Sequence, residues 1–390
     1  MQALFFPAHP QADGDDDKKI EDENEAIDDE PSVHAFLGDR ISERRKVDRA
    51  LCRAMLNNPL SKQLLDPPMN RIDAPDFDLE ATLNSGQVFH WEKVGKGFYG
   101  TVGDRALYVE HRGLGLLVAF EERALRRRGE EHSNVRKRPR STTPKAFAST
   151  AAAIAGSQEL ALPTSKLVRQ YFALDHPLDE ICASFPRDPV MNAARDFCRG
   201  LRIIRQPKWE CLATFICSSM KQVAHIRQIS RSLRERFGEK KEICGYEVFS
   251  FPSADRLAET SENELRKCGL GYRAKNLLAT AKRVALREAA LDSWSALPDG
   301  ALREQLCYLP GVGAKVANCV MLFGYERIKA FPIDVWIERV LREKYFPRKR
   351  KVTSASLAEF AANYFGAHGG YAQQYLFHHA RMTGKSRRKA

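Results

Sequence analysis

The sequence has 390 residues and a formal net charge of +12 at pH 7, from 62 lysines and arginines against 50 aspartates and glutamates. This length suggests two or three domains and is ample for burying a core. Because no apolar run approaches the roughly 20 residues that span a bilayer, a membrane protein is not expected. The nine cysteines are scattered and form no CxxC pair, which indicates reduced thiols and predicts neither a metal site nor a cofactor.

Residues 1–75 are predicted to be an acidic, disordered extension with possible short helices. Between Asp13 and Glu30 there are eleven acidic residues against two lysines, a local charge of −9, with almost nothing apolar to bury. The rest of the chain therefore carries +21. This basic charge favours a polyanionic partner, although a merely solubilising surface is equally compatible with it.

Residues 76–122 are predicted to form a small antiparallel β-sheet domain. Short segments rich in β-branched and aromatic residues are separated by Gly and Asp, which is typical of strands joined by turns. The predicted strands are Gln87–Trp91, Gly97–Val102, Ala106–Glu110 and Gly115–Ala119.

Residues 123–164 are typical of a flexible basic linker, and residues 384–390 of a basic tail. The cluster Arg136–Arg140 is compatible with a nuclear import signal or with an arm that contacts phosphates. Residues 165–383 are predicted to be helical, because apolar residues recur there at spacings of three and four. The predicted helical segments are Leu167–Phe172, Trp209–Met220, Ile226–Phe237, Leu277–Leu286, Leu302–Cys307 and Val316–Phe323. The fold class is therefore α+β, a small N-terminal antiparallel sheet domain followed by a larger all-helical domain.

The segment Leu302–Phe323 carries the most informative motif. A helix is expected to end near Tyr308, and a turn with Gly311 and Gly313 leads into a second helix that begins near Ala314. The glycines permit positive φ and a close backbone approach, and the free amides of the second helix suit a phosphate. This pattern favours a phosphate-binding hairpin over a generic pair of helices.

Two side chains near this hairpin have chemistry beyond phosphate binding. Lys315 lies in the first turn of the second helix, where the helix dipole disfavours a cation, so its amine is either a phosphate ligand or a nucleophile. Cys319 shares its helix face, and is equally compatible with a small core residue. Asp334 stands at the start of a further predicted helix, where its carboxylate would cap that helix and stay ionised.

These residues resemble the helix-hairpin-helix DNA glycosylases with a Gly/Pro…Asp loop, and within them the 8-oxoguanine DNA glycosylase/AP lyase family. The resemblance runs in order from about Phe77 to Arg381, interrupted by the linker. It implies a small β-sheet domain joined to a helix-hairpin-helix glycosylase domain. Five motifs carry it: Asn84–Trp91, Thr214–Ser219, Gly269–Lys275, the hairpin with Lys315, and Tyr371–Phe377.

The resemblance implies a bifunctional glycosylase and AP lyase that excises 8-oxoguanine from duplex DNA in base excision repair, without a cofactor. Lys315 would attack C1′ of the flipped nucleotide, displace the base and form a Schiff base, and β-elimination would nick the strand. Asp334 would stabilise the positive charge that develops at C1′.

The resemblance also implies a base pocket and a DNA-contacting surface. The Gly86 carbonyl would accept a hydrogen bond from N7–H of 8-oxoguanine, Gln373 would recognise the Watson–Crick edge, and Phe377 and Cys319 would sandwich the ring. Each has a plain alternative, as a turn glycine, a surface amide or a core side chain. The implied DNA-contacting residues are Gly311, Gly313, Arg273, Met220, His225 and Trp336.

Two positions depart from the family pattern. Eukaryotic members have an asparagine run followed by an arginine where this chain has Met220 to His225. Met220 can wedge into the base stack but cannot hydrogen-bond to cytosine, although Arg273 is retained as a contact to the opposite base. Because of this change at Met220, we expect weaker discrimination of the base opposite the lesion than in eukaryotic members. Trp336 replaces a histidine that contacts phosphate in relatives, so we expect that contact to the DNA backbone to be lost or moved.

Two other functions are compatible with parts of this pattern. A monofunctional glycosylase for alkylated bases would use Asp334 with water and would not need Lys315, and a noncatalytic DNA-binding module would keep the hairpin only as an anchor. The joint presence of Lys315, Asp334, Cys319, Gln373 and Phe377 favours the bifunctional enzyme. The expected partner is double-stranded DNA containing an oxidised purine, with no membrane. We expect a monomer in the cytoplasm on a bacterial nucleoid, or in the nucleus if the source is eukaryotic.

Overall fold

The computed structural model describes residues 69–120, 164–219, 221–348 and 351–386. The predicted acidic extension before residue 69, the linker up to residue 163 and the end of the basic tail lie outside the described residues. In the described ranges no helix has both the length and the apolar character of a bilayer-spanning segment.

Five strands form one antiparallel sheet in the order β1-β5-β4-β3-β2. Three of the four predicted strands are confirmed, but the prediction for Gln87–Trp91 is wrong, because this segment is an irregular loop. The sheet also begins with β1, upstream of the predicted domain start at residue 76. The strands are β1 (Asn70–Asp73), β2 (Glu92–Val94), β3 (Gly97–Val102), β4 (Arg105–Arg112) and β5 (Gly115–Phe120).

The described residues also contain fourteen α-helices, and each of the six predicted helical segments overlaps one of them. They are α1 (Leu79–Asn84), α2 (Thr164–Tyr171), α3 (Leu178–Ala183), α4 (Pro189–Phe197), α5 (Lys208–Cys217), α6 (Val223–Phe237), α7 (Ala254–Ala258), α8 (Glu262–Leu265), α9 (Arg273–Ala285), α10 (Asp299–Cys307), α11 (Ala314–Gly324), α12 (Val335–Val340), α13 (Ser354–Tyr364) and α14 (Gly369–Ser386).

The predicted α+β fold class is confirmed, with a small antiparallel sheet and a larger domain that is mostly helical and contains one strand pair that the prediction did not include. A hairpin of β6 (Lys240–Ile243) and β7 (Tyr246–Phe249) follows α6. Both residues of its turn, Cys244 and Gly245, have positive φ, as hairpin turns that match strand twist require. The hairpin packs its buried side chains onto the outer face of the five-stranded sheet.

A polar network joins the sheet region to the helices. The Gln87 side chain donates to the carbonyls of Thr82 and Arg202 and accepts from the amide of Ile204. Because all these groups are buried, each bond removes the cost of an unsatisfied polar group. This network explains why the Gln87–Trp91 loop is ordered without being a strand, and it fixes the position of neighbouring Gly86.

Candidate active site

The helix-hairpin-helix motif forms as predicted, with α10 ending at Cys307 and α11 beginning at Ala314. Gly311 has a φ of 79°, and a Cβ added there would lie 2.8 Å from the Cβ of Asn276, so glycine is required twice over. Gly313 does not use a left-handed conformation, since its φ is −96°. It is the exposed N-cap of α11, with nothing within 4 Å of an added Cβ, which leaves room for a phosphate.

Lys315 is half-buried in the first turn of α11, as predicted. Its Nζ donates to Oγ of Ser218 at 3.0 Å and lies 5.5 Å from the centroid of the Phe215 ring. The Ser218 hydroxyl in turn donates to the Phe215 carbonyl at 2.7 Å, so its lone pairs are free to face the amine. The hydroxyl at the end of α5 therefore holds the Lys315 side chain in place through one hydrogen bond.

Asp334 caps α12, which confirms the predicted capping role. Its Oδ1 accepts from the amide of Ile337 at 2.9 Å. Burial raises the pKa of Asp334, while the hydrogen bonds from backbone amides and the nearby Lys315 ammonium act in the opposite direction. The helix end therefore fixes the carboxylate beside Lys315.

Cys319 lies within electrostatic range of both groups. Burial raises the pKa of its thiol to about 11, with Lys315 lowering and Asp334 raising it. The thiol is therefore neutral at physiological pH. Lys315, Cys319 and Asp334 come together as the sequence predicts.

The predicted base-pocket residues lie where the α1 loop meets α14. Gly86 has a φ of 91°, and a Cβ added there would lie 2.9 Å from Cε1 of Phe377 and 3.7 Å from Cγ2 of Val223. Gln373 is one helical turn before Phe377 and only 4% exposed, and its Oε1 is buried without a hydrogen-bond partner. An orphaned acceptor of this kind suits a ligand donor. Cys319 and Phe377 belong to the same buried cluster.

The predicted DNA-contacting residues differ in how far they are exposed to solvent. Arg273 is buried, donates from Nε to the Ser219 carbonyl at 2.8 Å and stacks 4.3 Å from the Tyr272 ring, so it braces the end of α5 instead of facing solvent. His225 is exposed near the start of α6. Trp336 is partly buried, and a Cβ added at Gly384 would lie 3.0 Å from its ring. Met220 lies outside the described residues.

Sequence reasoning missed several residues at this site. Ser218 is the hydrogen-bond acceptor of Lys315, and two arginines, Arg227 and Arg381, both donate to Asn84, two residues before Gly86. The i,i+4 spacing of Arg381 from Phe377 was the one available signal. Nothing local in the sequence indicates that both arginines reach Asn84.

Comparisons with known proteins identify similar families and relatives. The model of the 8-oxoguanine DNA glycosylase N-terminal domain matches residues 70–212, and that of the HhH-GPD superfamily base excision DNA repair proteins matches residues 213–363. An N-glycosylase/DNA lyase of Arabidopsis thaliana is 30% identical over 313 residues, which cover 77% of this chain and 77% of the relative. A probable N-glycosylase/DNA lyase of Methanothermobacter thermautotrophicus is 28% identical over 336 residues, or 80% of this chain and 96% of the relative.

A solved structure is also similar to this chain. The Clostridium acetobutylicum 8-oxoguanine glycosylase/lyase, in complex with double-stranded DNA containing cytosine opposite 8-oxoguanine, has a TM-score of 0.66 and 26% identity. The match covers 81% of this chain and 98% of that one.

Proposed function

This chain belongs to the 8-oxoguanine DNA glycosylase/lyase family, and we propose that it excises 8-oxoguanine with Lys315 as the nucleophile and then cuts the strand. It is a bifunctional DNA glycosylase and AP lyase that binds DNA. The observation that carries the assignment is the Lys315 amine, held by Ser218 beside Asp334 and Cys319. A monofunctional enzyme has no use for this amine.

The reaction begins with attack of the unprotonated Lys315 amine on C1′ of a nucleotide rotated out of the duplex. The C1′–N9 bond breaks and its electron pair leaves with the purine. The sugar ring then opens to a Schiff base, loss of a C2′ proton breaks the C3′–O bond, and the 3′ phosphate departs. The negative Asp334 carboxylate stabilises the positive charge that develops at C1′ while the base leaves.

The pocket residues select the lesion before this attack. The Gly86 carbonyl accepts from N7–H, which 8-oxoguanine has and guanine lacks, while Gln373 contacts the Watson–Crick edge. A site built to accept from an N–H rejects the analogue without it, because its own acceptor is then left unpaired. The neutral Cys319 thiol and the Phe377 ring cover the two faces of the base. The enzyme acts as a monomer, in the cytoplasm on the nucleoid of a bacterium or in the nucleus of a eukaryote.

Borohydride trapping on a duplex with 8-oxoguanine opposite cytosine tests this function. We expect a covalent protein–DNA adduct from the unmodified chain and none from Lys315→Gln. Lys166→Gln, which changes an exposed lysine of α2, is the matched control and keeps the adduct. A DNA-binding chain that releases no base and forms no adduct contradicts the proposal, and base release without an adduct indicates a monofunctional enzyme.

Opposite-base selectivity is a separate prediction. Met220 has no group that pairs with cytosine, and Arg273 is engaged with the Ser219 carbonyl. We therefore expect single-turnover excision opposite C, A, G and T to differ by less than about tenfold, the factor that corresponds to roughly one lost hydrogen bond. Cleavage of the C pair alone would refute this.

A further inference from the structure

Two arginines that the proposed reaction does not use, the half-buried Arg227 and the buried Arg381, hold the chain just before Gly86. Arg227 of α6 donates from a terminal guanidinium nitrogen to Oδ1 of Asn84 at 2.9 Å. Arg381 of α14 donates to the main-chain carbonyl of the same residue. Asn84 is the last residue of α1, two positions before Gly86, so two helices remote in sequence converge on the base-pocket loop.

The same two helices also form the wall of the base pocket. Val223 lies one helical turn before Arg227, and Phe377 lies one turn before Arg381, and these are the two side chains that an added Cβ on Gly86 would meet. The guanidinium carbon of Arg381 is 5.6 Å from the centroid of the Phe377 ring. Replacement of either arginine is therefore expected to affect both the loop that carries Gly86 and the pocket wall formed by Val223 and Phe377.

The charge of this pair needs an explanation. Arg381 is only 6% exposed, and burial together with the neighbouring Arg227 charge lowers its pKa to about 10. In the described part of the chain no carboxylate pairs with either arginine, and each has a buried Nε without a hydrogen-bond partner. Placing one buried and one half-buried like charge close together has a free-energy cost that must be offset by other interactions. The gain is a pair of charge-assisted hydrogen bonds, which hold a neutral acceptor more tightly than an ordinary bond.

We propose that Arg227 and Arg381 are positioning residues that fix the Gly86 carbonyl against the purine and thereby set the selectivity for 8-oxoguanine. This inference rests on the proposed function of the pocket. It extends that function by assigning accurate recognition of the lesion to these two arginines, which together with Asn84 are called the clamp and which do not belong to the reacting groups. Neither arginine contacts Lys315 or Asp334, so the clamp acts on base selection and not on the sugar chemistry.

Two substrates separate these effects in the full-length chain. One is a duplex containing 8-oxoguanine, whose excision needs the base pocket. The other is a duplex with a preformed abasic site, which has no base and reports only on DNA binding, Lys315 and the lyase step. Because a misplacement of 1 Å can cost about 100-fold in rate, we expect Arg381→Met and Arg227→Met to lower single-turnover excision by roughly that factor. Borohydride trapping at the abasic site stays at the level of the unmodified chain.

Arg327→Met is the matched control. Arg327 is half-buried like Arg227, donates to the carbonyls of Ser295 and Leu297 and has an Nε without a hydrogen-bond partner, but it contacts no base-pocket residue. It reports the cost of losing a half-buried arginine elsewhere and leaves the ratio of excision to trapping unchanged. If a methionine variant does not fold, as seen by thermal melting, Arg381→Lys keeps the charge without the guanidinium fork and is expected to show the same split.

The outcomes are distinct. Unchanged excision in the folded clamp variants, or equal losses of excision and trapping, overturns the clamp. A shift of the ratio in Arg327→Met as large as that in the clamp variants also overturns it. Failure of the unmodified chain to trap at an abasic site overturns the proposed function itself, and the clamp that rests on it falls with it.

Discussion

At the scale of single residues, Asp334 has two roles that can be separated. Its carboxylate caps α12 by accepting from the amide of Ile337, and in the proposed reaction it also faces the positive charge that develops near Lys315. The capping role needs an acceptor oxygen, while the proposed catalytic role needs a negative charge. Asparagine supplies the first without the second.

Asp334→Asn is expected to lose activity without losing stability. Asparagine caps helices about as well as aspartate, whereas removal of the charge should lower excision by roughly 100-fold to 1,000-fold. Because burial raises the pKa of Asp334 in the folded state, its stability contribution is full below the unfolded pKa and is lost as the pH rises through the folded pKa.

The variant should therefore unfold at the same temperature as the unmodified chain near about pH 3, where both side chains are neutral, and at an equal or higher temperature near about pH 7. Thermal melting at the two pH values and single-turnover excision measure this. A variant that is active, or that melts earlier only at neutral pH, contradicts the assignment.

At the scale of elements, the hairpin between α10 and α11 depends on two glycines for different reasons. Gly311 adopts a left-handed conformation in close contact with Asn276, whereas Gly313 has an ordinary φ and faces open space. Glycine therefore avoids backbone strain at position 311, whereas at position 313 it leaves space for a ligand.

We expect alanine to affect stability at position 311 and DNA binding at position 313. Gly311→Ala should lower the free energy of unfolding by about 1–2 kcal/mol from the left-handed conformation alone. Gly313→Ala should leave it within about 0.5 kcal/mol, because no strain or contact is introduced. Instead it should weaken duplex binding and leave the slope of log affinity against log salt unchanged, because the lost phosphate contact is made by neutral backbone amides and not by a cation. Urea denaturation and binding titrations at several salt concentrations measure both, and equal destabilisation by the two variants contradicts this division.

The elements also show what the sequence can and cannot predict. The end of α10 and the start of α11 follow from a local Pro-Gly turn, and Asp334 at a helix start follows from capping rules. The aromatic and β-branched residues of Gln87–Trp91 predict a strand, but the structure has a loop there. Two of the hydrogen bonds that hold this loop come from residues 115 and 117 positions away, which no local pattern indicates. The Asn84 clamp is separated from its arginines by 143 and 297 positions, so no local pattern predicts it.

At the scale of the whole molecule, the sheet and the helical region share a buried charged cluster. Arg234 of α6 pairs with Glu210 of α5 and donates to Oγ1 of Thr101 in β3 at 2.8 Å. His90, in the loop before β2, lies 3.3 Å from the same carboxylate, and burial lowers the pKa of this histidine well below its usual value. The cluster therefore consists of one ion pair and a neutral imidazole, placed between the loop that follows Gly86 and the helix that leads to Ser218.

Glu210→Gln tests whether this ion pair holds the two regions together. Removal of one partner of a buried pair leaves an uncompensated charge on Arg234, which costs about 3–5 kcal/mol of unfolding free energy. Burial raises the pKa of Glu210 while Arg234 opposes this shift, so the carboxylate depends on its partner to remain charged. Urea denaturation at neutral pH measures the loss, and addition of Arg234→Met should recover part of it by removing the orphaned charge.

Glu92→Gln is the matched control, because Glu92 of β2 pairs with Arg231 of α6 across the same junction at 2.5 Å but in contact with solvent. With side chains 46% and 32% exposed, this pair contributes at most about 1 kcal/mol, and glutamine keeps an acceptor for the Tyr246 hydroxyl, so this variant should be nearly as stable as the unmodified chain. Equal losses from Glu210→Gln and Glu92→Gln would mean that burial of the pair is not what joins the regions. A large loss from Glu210→Gln alone would mean that the buried charges that join the sheet to the helices also hold the loop that follows Gly86.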